Sequence, residues 1–126
     1  MIIEEIMTKA VVCGQMTDTV NRLEQVMKEA GVRYLPIVDN AAQCVGTVSA
    51  VDLVRVHNLK RSMNNELQAW QFFSEPVVEV GPYQPVIEAI ELMVVNKAHH
   101  LVVIGNEGVV GVVSSIDILE KYVLQN

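Results

Sequence analysis

Apolar residues recur at helical spacing in Val20, Leu23, Val26, Met27 and Ala30, so this stretch predicts a helix with one face against a core. Thr17-Asp18-Thr19 in front of it offers capping side chains, and Gly31 behind it offers a stop. A short strand is expected to begin at Val11 and Val12. Tyr34 to Val38 reads as a further strand, Asp39-Asn40-Ala41-Ala42 as a turn, and Cys44 to Val48 as the returning strand of a hairpin, with a second helix opening at Val51. The same order follows once more: strand at Val77 to Val80, helix from Pro85 to Asn96, strand at Leu101 to Ile104, turn at Gly105 to Gly108, strand at Val109 to Val113, helix from Ser115 onward. Pro85 suits the first turn of its helix, where a missing N–H costs nothing. Met1 to Met7 predicts a short helix that packs Ile2, Ile3 and Ile6 on the body, and Glu66 to Trp70 favours helix in an ordered linker.

The pattern is therefore written twice. Gly46-Thr47-Val48-Ser49-Ala50-Val51-Asp52 returns as Gly111-Val112-Val113-Ser114-Ser115-Ile116-Asp117, 65 residues later, while upstream positions match at an offset of 66. In that upstream register Val20 falls on Val86, Met27 on Met93, Leu35 on Leu101, Ile37 on Val103 and Asn40 on Asn106, so one residue is lost in one turn. Such recurrence indicates a duplicated supersecondary unit, each half being too small to bury its own apolar face. The expected fold class is α/β (α+β): two β-α-β-β-α repeats related by pseudo-twofold symmetry, with small sheets and helices on their outer faces.

Composition narrows the function classes. With 126 residues and 51% hydrophobic content, the chain is sized for one domain in which both halves share a core. Its apolar runs fall short of a bilayer span and its start lacks the basic residues of a signal peptide, so the expectation is a soluble, cytoplasmic protein without membrane contact. A net charge of −6 argues against nucleic acid as a partner. The basic cluster Arg55, His57, Lys60 and Arg61 reads as a solvated helix end. Cys13 and Cys44 have no C-x-x-C spacing and read as buried free thiols. His99 and His100, adjacent in a predicted strand, point to opposite faces and cannot readily chelate one metal ion.

The twice-written G-x-x-S-x-x-D carries the candidate chemistry, and two readings compete for it. A capping box uses the same spacing, with Ser accepting from a backbone N–H one turn on and the acid reaching back. The functional reading uses the free N–H groups of the helix start and the Ser hydroxyl for a phosphate, and the Asp carboxylate for the vicinal hydroxyls of a ribose. The glycine three residues before the Ser leaves room for another backbone or a ligand. A helix end contributes only about 0.3–2 kcal/mol and a charged hydrogen bond about 1.5–3, whereas micromolar binding needs about 8. Bare phosphate falls short, so a base lying against Val12, Val51, Val78 and Ile116 is required, and a nucleoside or nucleotide meets all three demands. No nucleophile–base spacing, G-x-S-x-G or phosphate loop with lysine is present, and no enzymatic activity is expected.

Ile6-Met7-Thr8, the run Gly31 to Asp39 and both G-x-x-S-x-x-D segments together resemble the cystathionine β-synthase (CBS) domain family, whose tandem pair is called a Bateman module. The likeness covers nearly the whole chain. It implies CBS repeat 1 over about 1–57, a helical linker over about 58–71 and CBS repeat 2 over about 72–126. It also implies a regulatory, sensing module that binds AMP, ADP, ATP or S-adenosylmethionine in clefts between the repeats, with no required cofactor. By the same resemblance Asp52 and Asp117 are ribose ligands, Ser49 and Ser114 phosphate neighbours, and Val51, Ile116, Val12 and Val78 the base lining. Arg33 and His99, with His100 beside it, stand where relatives place a basic residue facing phosphates. Val102 replaces Pro36 in the second repeat, a change that does not block binding, whereas Glu79 there stands opposite Cys13 and its carboxylate repels a phosphate, so the two sites are not expected to be equivalent. A homodimer is expected, with regulation acting on an unidentified protein target or through self-association. The alternative is a ligand-free structural or dimerisation module.

Overall fold

The computed structural model describes residues 1–9, 11–59 and 67–125. Helix α1 (Val20–Ala30) starts where the Thr19 hydroxyl oxygen accepts the Arg22 N–H at 3.3 Å, and it ends at Gly31 with φ +67°. That left-handed turn is free of Cβ strain in glycine. Its repeat counterpart α3 (Val86–Asn96) has Pro85 as N-cap and closes on Lys97, a non-glycine residue held at φ +53°. Each helix lies beside a three-stranded sheet. In the first, β1 (Gly14–Gln15) runs parallel to β2 (Tyr34–Val38), which pairs antiparallel with β3 (Cys44–Ser49). In the second, β4 (Glu79–Val80), β5 (His100–Gly105) and β6 (Gly108–Ser114) repeat that order. Helices α2 (Ala50–Leu59) and α4 (Ser115–Ile118) leave the ends of β3 and β6.

The lost residue lies in the hairpin. Five residues separate the paired Val38 and Cys44, but four separate Ile104 and Val109. Asp39 closes the longer turn by accepting the Ala41 and Gln43 N–H groups at 2.9 and 3.0 Å. Beyond the turn both hairpins carry a bulge, at Val45 and at Val110, that restores the same register: Ile37 faces Gly46 and Val103 faces Gly111.

Three elements differ from the pattern-based expectation. The strands expected to begin at Val11–Val12 and to run over Val77–Val80 shrink to Gly14–Gln15 and Glu79–Val80, because only these residues find a ladder partner on β2 and β5. The helices expected at Met1–Met7 and around Leu67–Trp70 are single 3₁₀ turns, Ile3–Glu5 and Ala69–Gln71, preceded by extended Ile2 and Gln68. The final helix stays α-helical for only four residues and widens into a π turn over Leu119–Val123. Lys60, Arg61 and Glu66 lie outside the described residues.

The chain forms two compact units, and they do not coincide with the sequence repeats: one is Val12–Val77, the other Met1–Val11 with Val78–Asn126. Each unit is completed by the leading segment of the opposite repeat. In the Val12–Val77 unit, Val20, Leu23 and Met27 of α1, Leu35 and Ile37 of β2, Val48 and Leu53 are buried together with Leu67 and Ala69. Position for position, the other unit buries Val86, Ala89, Met93, Leu101, Val103, Val113 and Ile118 together with Ile3, Ile6 and Met7. Thr8 and Val112 exchange two backbone hydrogen bonds at 2.9 and 3.1 Å, and Ser74 and Thr47 do the same at 2.8 and 3.1 Å.

Candidate ligand site

Strand direction decides which residues meet. Because β1 runs parallel to β2, the residues before it lie at the same end of the sheet as the start of β2 and, by antiparallel pairing, the end of β3. Val12, Arg33, Ser49 and Asp52 therefore gather at one end of the first sheet. The same reasoning gathers Val78, His99, Ser114 and Asp117 at the corresponding end of the second. A backbone bond ties each set together: the Arg33 carbonyl accepts the Ala50 N–H and the His99 carbonyl accepts the Ser115 N–H, both at 2.9 Å. Val51 and Ile116, at 59% and 57% exposure, stand on the outer face of their helix starts, and Val12 is also exposed.

Both Ser–Asp pairs form a reciprocal capping box. The Ser49 N–H donates to Asp52 Oδ2 at 2.8 Å and the Asp52 N–H to Ser49 Oγ at 3.2 Å. In the second repeat the distances are 2.9 and 3.0 Å between Ser114 and Asp117. Each box satisfies two N–H groups of a helix start and fixes the carboxylate through one oxygen, leaving Oδ1 for other partners. The room beside the motif glycines goes to the chain itself. A Cβ on Gly46 would lie 2.6 Å from the Phe73 ring, and one on Gly111 would lie 2.6 Å from Met7 Sδ and 3.0 Å from the Thr8 carbonyl oxygen. Phe73 and Met7 are repeat counterparts, so this glycine admits the leading segment of the opposite repeat.

Beyond the boxes the two sets diverge. Lys121 Nζ stands 3.6 Å from Asp117 Oδ1 and donates to the Ile6 carbonyl at 3.3 Å. The first-repeat counterpart of Lys121 is Val56, buried in the core. Lys121 is a residue the sequence pattern did not single out, and its i, i+4 spacing from Asp117 is the signal that marks it. At the first position of the central strand stand Tyr34 and His100, each opposite the motif serine. Burial pushes the Tyr34 phenol up to about 12, against a hydrogen bond to Thr47 that lowers it. Burial likewise pushes the His100 imidazole down, and His99 adds to this while Asp117 opposes it. His99 precedes β5 and is exposed. Cys13 and Cys44 are half-buried rather than buried as expected; Cys44 Sγ donates to the Gly46 carbonyl at 3.5 Å, and burial raises the Cys13 pKa. Among the described residues no three His, Cys, Asp or Glu side chains stand where they could hold a metal ion, and no helix is long and apolar enough to cross a membrane.

A family model described as the CBS domain matches residues 3–58 and again 69–124. The chain belongs to the CBS domain family. Its two CBS domains follow in tandem, and the architecture is that of solved CBS pairs. A CBS domain pair crystallised with 5′-methylthioadenosine and S-adenosyl-L-methionine superposes with a TM-score of 0.88 at 18% identity, covering 100% of this chain and 98% of that one. Hypoxic Response Protein I, solved with two coordinated zinc ions, superposes with a TM-score of 0.84 at 21% identity over 96% of this chain and 98% of that one. Among curated sequences, an uncharacterised protein of Methanopyrus kandleri is 29% identical over 92% of this chain and 60% of its own length. Inosine-5′-monophosphate dehydrogenase of Methanocaldococcus jannaschii is 25% identical over 94% of this chain and 23% of the enzyme. The CBS pair thus spans less than two thirds of either curated relative.

Proposed function

We propose that this CBS pair is a regulatory module that senses an adenosine-containing metabolite, AMP, ADP, ATP or S-adenosylmethionine, at the Ser–Asp end of a sheet. The observation that carries the reading is the convergence, within one unit, of an exposed apolar surface (Val12, Val51), a helix start with Ser49, a carboxylate held through one oxygen (Asp52) and a guanidinium (Arg33). These suit a base, a phosphate and a ribose in turn. Val78, Ile116, Ser114, Asp117 and His99 are the counterpart set. Support comes also from the neighbour crystallised with two adenosyl compounds. The ligand acts as a signal with no chemical step on it, and the module works in the cytoplasm.

Thermal melting with each of the four compounds at millimolar concentration tests this. A ligand at one hundred times its Kd adds about 2.7 kcal/mol, so a clear rise in Tm with at least one compound is expected. No shift with any of them defeats the reading.

A second reading is favoured by the capping boxes. Since both carboxylates already serve their own helix starts, the motif also suits a ligand-free scaffold that pairs with a second copy or a protein target. Val94 and Val95 on α3, 72% and 79% exposed, are apolar surface that a second copy would cover. A flat melting response together with a dimer by sedimentation favours this reading over the first.

A further inference from the structure

Two differences between the repeats act on the same step, the capture of an adenosyl ligand. The first concerns the base. In the second repeat the Val102 N–H donates to the Val78 carbonyl at 3.1 Å, which occupies that acceptor within the sheet. The counterpart of Val102 is Pro36, which has no N–H, so the Val12 carbonyl at the same rung receives no such bond. With no N–H of the described residues bonded to it, this carbonyl of the exposed Val12, two residues ahead of β1, is an acceptor for the exocyclic amine of adenine. The second difference concerns the sugar. Asp117 has Oδ2 on the Ser114 N–H and Oδ1 facing Lys121, and Lys121 in turn holds the Ile6 carbonyl. A ribose at Asp117 has to displace that ammonium. Among the described residues the Asp52 carboxylate accepts the Ser49 N–H and pairs with no basic side chain, and the residue one turn on is the buried Val56.

We infer that the repeats have divided the work: the first set, with Asp52 and the Val12 carbonyl, takes the adenosyl ligand, while the Asp117–Lys121 pair fastens the amino-terminal segment to its unit. This rests on the adenosyl reading given above. It makes Pro36 and Lys121 the residues that decide which repeat binds.

Calorimetry of the full chain with AMP, ADP, ATP and S-adenosylmethionine in turn tests it. For the compound that binds, one site per chain is expected, weakened at least tenfold in Asp52→Asn. From this third helical position the asparagine amide oxygen can still accept the Ser49 N–H, so the capping box and the fold are kept. Pro36→Val restores the strand N–H and is expected to weaken binding about fivefold, the folded state being checked by circular dichroism. In Lys121→Met, amide exchange at residues 3–8 is expected to speed up at least fivefold. Two sites of equal affinity, or loss of binding in Asp117→Asn while Asp52→Asn still binds, overturns the division and leaves the sensing reading standing. Unchanged affinity in Pro36→Val removes the role given to the Val12 carbonyl, and unchanged exchange in Lys121→Met removes the fastening. Absence of binding by all four compounds defeats the sensing reading and this assignment together.

Discussion

The two Ser–Asp boxes agree to within 0.2 Å in both of their hydrogen bonds, yet one helical turn later they part: Val56 enters the first core, while Lys121 turns back to Asp117 and Ile6. The backbone frame of the duplication is thus conserved where it closes helix starts, and the divergence sits in side chains that the frame does not need. A ten-residue α2 accommodates Val56 on its buried face. In the second repeat the chain leaves α-helical geometry after four residues, and the π turn that follows carries Lys121. A motif kept twice for folding is thus free to diverge in its side-chain chemistry.

The repeats should differ most at the motif glycines. Gly46→Ala meets the root of the Phe73 ring, whereas Gly111→Ala meets Sδ and Cγ of the flexible, unbranched Met7 and a backbone oxygen at 3.0 Å. Overpacking of this kind costs about 1–3 kcal/mol, and the Gly46 variant is expected at the upper end. Chemical denaturation measures it; equal costs would show that the two leading segments are seated alike. Next come the caps. Ser49→Ala and Ser114→Ala each remove one bond of a box, at a cost of about 1 kcal/mol, and α4, with four residues, has the less intrinsic helix to fall back on. A larger loss for Ser49→Ala would contradict that order.

A gain of similar or smaller size is expected at Lys97, which holds φ +53° where the first repeat has Gly31. Lys97→Gly relieves a left-handed strain of about 1 kcal/mol, partly offset by the freer unfolded chain, so Tm should rise slightly. A fall in Tm would mean that the lysine side chain contributes more than its backbone costs.

The mildest effect is a pair of pH slopes. His100 has its pKa lowered in the folded chain, so the unfolded chain binds more protons, and the contribution of this residue is complete above about pH 6.5 and lost as pH falls through the folded value. Tyr34, pushed up to about 12, runs the other way: its contribution is complete below about pH 10 and lost as pH rises toward 12. Stability against pH should lose part of its acid limb in His100→Gln and part of its alkaline limb in Tyr34→Phe. The reverse assignment would refute the burial argument.

Most of the fold was legible because both signals behind it are local. The apolar stripe of Val20, Leu23 and Met27 and its copy Val86, Ala89 and Met93 require only helical periodicity, and Tyr34–Val38 only β-propensity and flanking turns. The strands before α1 and α3 begin later than their valine runs suggest, since two-residue ladders depend on the partner edge and valine runs alone do not locate it. The site was legible as a motif, and so was its capping alternative, because both use one spacing. What the motif glycine faces was not legible: Phe73 lies 27 positions from Gly46, and Met7 lies 104 from Gly111.

The duplication, the order of elements, the core positions and the paired Ser–Asp boxes can be read from the amino-acid pattern, since each follows from periodicity or from groups within one helical turn. Tertiary structure alone decided that each unit is completed by the leading segment of the other repeat, and that Lys121 reaches back to Ile6. Those outcomes depend on which distant segment fills an exposed sheet edge, and that choice is made by packing and backbone pairing across the whole chain.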